Sequence, residues 1–275
     1  MRRLRRGLHR AWRWLGVQAL FEHGRELELM HRAMGFATLA LVTLAPLLIV
    51  VAAADPLVRG GFASWLTDGM GLSGRSAHVV TDAISPPRKV IGTTSVWSGV
   101  LLAVFGVSFG GSVQNAYERI WGLASGPWHR VWRQATWLVV LTAYLYQEVA
   151  TKSTLYGTQR IVFSALIGVL FFWWGQRFLL GGQIHWRSLL PGAVATVVGL
   201  AGLRAFSYLV FTPLIVTNAL SYGAVGTVLV VESWLIGVGF VIYGGALFGR
   251  WFTQHHWVPS HHEDEPAPRE PNERP

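Results

Sequence analysis

The sequence predicts an all-α polytopic membrane protein, a bundle of six transmembrane helices with an interfacial amphipathic helix before it. Of the 275 residues, 52% are hydrophobic and 13% are charged, whereas a soluble domain averages about 25% charged residues. The apolar residues also occur in long separate blocks, which favours membrane spans over one soluble core. We therefore expect a basic segment at 1–32, a transmembrane domain at 33–252 and a disordered tail at 253–275.

Six apolar segments are long enough to cross about 30 Å of hydrocarbon, which takes about 20 helical residues. The predicted spans are Ala33–Ala54, Val90–Gly111, Ala135–Ala150, Ile161–Leu180, Leu189–Phe211 and Ala224–Gly249. The third is the shortest. The last two are joined by a short polar turn, Thr212–Gly223, and together read as a membrane hairpin.

The basic residues are distributed unevenly between the two sides of this predicted bundle. With the N-terminus inside, the inner segments hold sixteen arginines and lysines and the outer segments hold six. The positive-inside rule therefore places both termini in the cytoplasm. The longest outer loop, Asp55–Lys89, mixes small, polar and apolar residues, and we expect one or two short helices there that cap the bundle.

The N-terminal segment has the pattern of a basic amphipathic helix. Leu4, Leu8, Trp12, Leu15 and Ala19 recur at spacings of three and four, with arginines between them. Such a helix lies in the headgroup layer, where its arginines attract anionic lipids. Ordinary positive-inside charge is the alternative for the first ten residues. The expected partners are membrane lipids of the inner leaflet and no nucleic acid; a homo-oligomer is compatible with the sequence.

Known catalytic and metal-binding patterns are absent from the sequence. The chain has no cysteine, which excludes disulfides and thiol chemistry. It also lacks a Gly-Lys-Ser/Thr phosphate loop, an HExxH motif and a nucleophile elbow. The C-terminal histidines lie in a proline-rich, acidic tail without a scaffold for a metal. We therefore expect neither an enzyme nor a cofactor nor a bound metal.

Two charges lie inside the predicted hairpin, Arg204 and Glu232. Ionisable groups within spans cost several kcal/mol and are candidates for function. Counting from the outer ends of their helices puts both at roughly 10–12 Å depth. We expect an ion pair or a shared polar cavity, with a static staple between the helices as the alternative. Glu148 either joins this site or pairs with Lys152 one helical turn later.

Several short motifs, taken in order, resemble the YihY/BrkB family of bacterial inner-membrane proteins. They comprise Leu44-Ala45-Pro46-Leu47-Leu48, the group Asn115, Tyr117 and Arg119, then Pro191-Gly192, Tyr208, Tyr222-Gly223 and Trp234. We expect these motif residues to be structural, with Asn115 capping a helix break or turn after span two. The chain departs from the family pattern at Glu232, Ile236 and Leu247.

The resemblance implies six transmembrane helices, a role in envelope integrity, and export of envelope lipids or small solutes. Some members carry an old ribonuclease label. A non-catalytic envelope scaffold is the alternative to a translocator. Ribonuclease activity is disfavoured, because the predicted cytoplasmic loops offer only scattered groups such as Glu118, His129 and His185.

Overall fold

The computed structural model describes residues 28–54, 66–72, 74–84, 95–124, 130–151 and 158–256. The predicted N-terminal amphipathic helix lies outside these residues, as does the predicted disordered tail from residue 257 onward. The first four residues of that tail, 253–256, are helical instead, because the last helix continues to His256. Within the described ranges the regular elements are all helices. They are α1 (Leu29–Ala54), α2 (Gly74–Ile84), α3 (Ser95–Ile120), α4 (Arg130–Thr151), α5 (Thr158–Leu179) and α6 (Trp186–His256), with a short helical turn at 66–69.

Four helical stretches are long and apolar enough to cross a membrane. They are Trp97–Ile120, Gln159–Leu179, Trp186–Val210 and Val225–His255, which match predicted spans two, four, five and six. The apolar part described for α1, Leu29–Leu44, is shorter. These findings confirm the all-helical class and fit a membrane-embedded protein, while six crossings stay a prediction.

The longest helix, α6, folds back on itself. Its 71 residues would extend over about 107 Å as a straight helix. Instead, Gly192 lies against Gly249 and Gly199 lies against Val241. The arms Trp186–Val210 and Val225–His255 therefore run antiparallel, and the chain reverses between Leu203 and Gly237, which contact each other. The predicted polar turn in this stretch, Thr212–Gly223, has helical backbone. We call this the α6 hairpin and its linked end the fold-back end.

The two arms of the α6 hairpin touch through backbone. A Cβ placed on Gly249 would lie 2.7 Å from the Cα and 2.8 Å from the N of Gly192. One turn away, a Cβ on Gly245 would clash with the Thr196 hydroxyl. Glycine removes the side chain that would separate the helices, as the small-xxx-small pattern of Gly245 and Gly249 predicts. We call this contact the glycine seam.

Aromatic rings fill the middle of the described bundle. α1 packs against α3 and α6, α4 against α3 and α5, and α5 against α6. The ring of Phe36 lies 5.0 Å from that of Phe109 and 5.9 Å from that of Tyr243. Phe109 in turn lies 5.8 Å from Trp137 of α4. These contacts join four helices through one core.

A second cluster covers α6 near the fold-back end. Leu66, Met70 and Val80 pack with Val231 and Trp234. Leu66, Met70 and Val80 belong to the predicted outer loop. The short helices expected in this loop are therefore confirmed in its described part, as the helical turn at 66–69 and α2. We call residues 66–72 the capping segment.

Helix α3 continues further than the sequence predicts. The expected helix break around Asn115 is wrong, because helical backbone runs through this residue to Ile120. The helix ends where Gly122 adopts a φ of 68°. There, the Gly122 N–H donates to the carbonyl of Arg119 at 3.1 Å and the Leu123 N–H to that of Glu118 at 2.8 Å. This pair of bonds is a Schellman motif, which requires a left-handed residue that Asn115 does not supply.

We predict that Gly249→Ala destabilises the protein by about 1–3 kcal/mol, the usual cost of overpacking. The added methyl meets Gly192 backbone, which cannot rotate away as a side chain can. The matched control is Gly244→Ala, because a Cβ on Gly244 has no neighbour within 4 Å. Thermal unfolding in detergent measures both variants. Equal melting temperatures would show that the glycine seam is not a close contact.

Candidate functional site

Arg204 lines an open groove on the first arm of the α6 hairpin. The groove has a volume of about 560 Å³. The capping segment contributes Asp68, Gly71 and Leu72 to its walls, and α6 contributes Ala201, Arg204, Ala205, Tyr208 and Leu209. Because these α6 residues recur at spacings of three and four, they share one helix face.

Gly71 brings the capping segment close to α6 at this groove. A Cβ on Gly71 would lie 3.0 Å from the Arg204 carbonyl oxygen and 3.3 Å from the Tyr208 Cβ. Gly71 also has a φ of 70°, which glycine adopts without strain. Its N–H donates to the Asp68 carbonyl at 3.0 Å and ends the short helical turn. Because Gly71 has no side chain, the capping segment can approach α6 closely enough for the two to form the walls of the groove.

The groove combines charge with an apolar surface. Its charged residues are Arg204 on one wall and Asp68 on the other. Tyr208 is 58% exposed, while neighbouring Phe206 and Leu209 are 53% and 73% exposed. The α6 surface beside the groove is therefore apolar, and the two charged residues lie in the groove itself.

Glu232, the predicted partner of Arg204, contacts α1. Its Oε1 accepts a hydrogen bond from the Thr38 hydroxyl of α1 at 3.4 Å. The hairpin register also separates it from Arg204: Leu203 packs on Gly237, so Glu232 falls about one helical turn, roughly 6 Å, closer to the fold-back end. The expected Arg204–Glu232 pair stays a prediction, and these contacts favour two separate positions.

Glu148 lies in the last turn of α4, and its side chain falls outside the described residues, as does Lys152. One turn earlier, the ring of Tyr144 stacks on Phe171 of α5, with centroids 4.6 Å apart. The helix position of Glu148 is thus established, but its expected place beside Arg204 stays a prediction.

The motif group on α3 divides between two helix faces. Tyr117 is buried and meets the ring of Tyr243 edge-on at 6.3 Å. Asn115 and Arg119 are exposed on the opposite face. The contacts of Tyr117 support its expected structural role.

The α6 motif residues also make mainly structural contacts. Pro191 and Gly192 lie in the glycine seam, and the Trp234 ring lies 3.6 Å from a Cβ placed on Gly69. Tyr208 differs, because it lines the groove. Tyr222 and Gly223 lie in helical backbone, and the side chain of Tyr222 is outside the described part of the chain.

Arginines cap carbonyl groups at the end of the bundle opposite the fold-back end. Arg250 donates to the carbonyl of Ile120 at the end of α3, and Arg177 donates to that of Ile184. The Arg177 guanidinium also lies 4.7 Å from the centroid of the Trp186 ring. Cations stabilise the carbonyl ends of helices. We call this the arginine-rich end.

A buried polar network lies near the arginine-rich end, and sequence reasoning did not predict it. Gln134 of α4 donates to Gln114 Oε1 at 3.1 Å, and Gln114 donates to Glu118 Oε1 at 2.9 Å. All three side chains are buried. A Cβ on Gly111 would lie 3.2 Å from Gln134 Nε2, so glycine admits the amide. The available signal was the i, i+4 spacing of Gln114 and Glu118, which puts both on one helix face.

Gln176 of α5 adds another buried amide. It is fully buried, and neither of its amide atoms has a hydrogen-bond partner among the described residues. An unpaired buried polar group costs roughly 1–3 kcal/mol. The interior near the arginine-rich end is therefore more polar than hydropathy indicates.

The described residues contain no group of three His, Cys, Asp or Glu side chains that could hold a metal ion. No family model, curated protein or solved structure matches the chain. The YihY/BrkB resemblance therefore remains a hypothesis that rests on the motif residues.

We predict that Gln114→Leu destabilises the protein by about 1–3 kcal/mol, because it leaves Gln134 and Glu118 buried without this partner. Leucine is similar in size, so the change tests hydrogen bonding more than volume. The control is Gln183→Leu at an exposed position, where an effect within about 0.5 kcal/mol is expected. Thermal unfolding in detergent compares them, and equal stability would mean that the network contributes nothing.

Proposed function

We propose that this chain is an inner-membrane protein of the bacterial envelope that translocates an envelope lipid or a small solute. The supporting observation is the groove that places Arg204 and Asp68 within an otherwise apolar surface. A polar substrate crossing hydrocarbon needs polar groups at membrane depth, and charges there usually mark such paths. The resemblance to YihY/BrkB proteins supports the same class.

We further propose six crossings with both termini in the cytoplasm. α1 and α4 contain 26 and 22 residues, enough for about 30 Å of hydrocarbon. α4 is less apolar partly because of Gln134, but that side chain is buried against α3. Its polarity therefore does not face lipid. The arginine-rich end would face the cytoplasm and the fold-back end the outside.

The competing functions gain less support from these residues. A scaffold would recruit partners mainly through the N-terminal segment and the tail, which lie outside the described residues. A ribonuclease would need exposed acid–base groups. Glu118 is instead buried and hydrogen-bonded to Gln114, which counts against that use.

We predict opposite accessibility for the two ends of the bundle. Because the chain lacks cysteine, single cysteines can be labelled without background. His78→Cys, exposed on α2, should react with a membrane-impermeant maleimide on intact spheroplasts. Gln183→Cys, exposed at the arginine-rich end, should react only after lysis. Val113→Cys is a buried control that should stay unlabelled. Labelling of both exposed sites from one side would refute the orientation.

We predict that purified protein in liposomes accelerates translocation of a fluorescent phospholipid, followed by dithionite quenching, or of an entrapped solute. Arg204→Gln should lower the rate roughly tenfold or more, since hydrogen bonds to charged groups contribute about 1.5–3 kcal/mol. Arg187→Gln, an exposed arginine in the first turn of α6, is the matched control and should keep its rate. No translocation by the wild-type protein, or equal rates in both variants, would reject this function.

A further inference from the structure

The Arg204 groove is large enough to take part of a small ligand. Its volume of about 560 Å³ falls within the roughly 300–1,000 Å³ of small-molecule pockets. The groove is open and not an enclosed cavity, and the adjoining surface of α6 is apolar. Val198, Phe206 and Leu209 on this arm are all more than half exposed.

This setting points to a ligand with apolar chains. In a bilayer, the exposed side chains of the first α6 arm contact acyl chains. A lipid already lying there can enter the groove sideways with its headgroup while its chains stay in contact with α6. A freely soluble anion has no such apolar contact to make.

The charges of the groove select the headgroup. Arg204 offers a planar guanidinium, which matches phosphate oxygens through two parallel hydrogen bonds. Asp68, from the capping segment, lines the same groove as Arg204. Asp68 also has an interaction of its own within the protein, and an ionised carboxylate has acceptor sites on both oxygens, so it can accept a further hydrogen bond from a ligand. One cation opposite one carboxylate complements a zwitterion better than a net anion.

We propose that the groove binds a zwitterionic aminophospholipid, with the lipid phosphate on Arg204, the ammonium group near Asp68 and the acyl chains along the exposed face of α6. The inference rests on the proposed function for the position of the groove in a bilayer. It adds the substrate class and assigns a separate role to each wall.

Native mass spectrometry of the full chain in detergent tests this proposal by measuring bound lipid. The probes are phosphatidylethanolamine, phosphatidylglycerol with the same acyl chains, and free phosphoethanolamine. The wild-type protein should bind phosphatidylethanolamine more tightly than either alternative. Equal binding of the two lipids would overturn the headgroup assignment, and equally tight binding of free phosphoethanolamine would overturn the lipid assignment.

Variants separate the two walls. Arg204→Gln should weaken phosphatidylethanolamine binding about tenfold or more, as expected for loss of a charge-assisted hydrogen bond. Arg204→Lys keeps the charge without the bidentate geometry, so its affinity for phosphatidylethanolamine should lie between those of the wild-type protein and Arg204→Gln. Asp68→Asn should remove the preference over phosphatidylglycerol, while Arg187→Gln should change neither affinity. An unchanged affinity in Arg204→Gln, or an unchanged preference in Asp68→Asn, would overturn the proposal.

The transport measurement tests the proposed function and the binding measurement tests the lipid site, so either proposal can be rejected without the other. Selective lipid binding without translocation would reject the proposed function and leave the binding site intact. Translocation without selective binding would reject the binding site and leave the function intact. A circular dichroism spectrum like that of the wild-type protein is required of each variant, so that loss of binding cannot come from unfolding.

Discussion

The described fold depends on the close contact between the two arms of α6. Apolar side chains gain little from leaving lipid for a neighbouring helix, so packing in a bilayer relies on close backbone approach and dispersion. Gly192 and Gly249 provide that approach here. The contact also sets the register, because it brings Leu203 against Gly237. Arg204 follows Leu203 by about 100° around the helix, so the packing that half-buries Leu203 leaves Arg204 on the face that lines the groove.

Hydropathy predicts the helices best where apolar sequence and helical backbone end together. In α6 the two do not end together, because the backbone stays helical through the predicted polar turn Thr212–Gly223. α5 satisfies this condition, since the predicted span Ile161–Leu180 matches the helix Thr158–Leu179. α3 does not, because its apolar run ends near Gly111 while the backbone stays helical to Ile120. Gln114 and Glu118 look like loop residues by composition. They remain helical because their polar groups bond to each other and to Gln134 inside the bundle.

The sequence identifies Arg204 on the α6 wall of the groove, but it does not identify Asp68 on the wall formed by the capping segment. Arg204 is conspicuous because it interrupts a span. Asp68 lies far away in a loop of mixed composition, and only the tertiary packing of the capping segment brings it to Arg204. The buried glutamines Gln114, Gln134 and Gln176 are harder still to identify as buried from the sequence, because a neutral glutamine does not alter a charge count and changes a hydropathy profile little. Sequence therefore supplied candidate charges, while their neighbours required the fold.

Arg204 carries an energetic cost that its surroundings must offset. Insertion scales assign about 2.5–3.5 kcal/mol to an arginine at the centre of a span, a large part of a net stability of about 5–15 kcal/mol. A static staple would offset this cost with a buried carboxylate. Glu232, the nearest candidate by sequence, instead accepts a hydrogen bond from Thr38. Arg204 is left exposed in a groove that it shares with Asp68. There the guanidinium can stay hydrated or exchange water for a lipid phosphate, which lowers its cost in the bilayer. The same openness that makes the charge tolerable also makes it available to a ligand, so a binding role follows more directly from this geometry than a purely structural one.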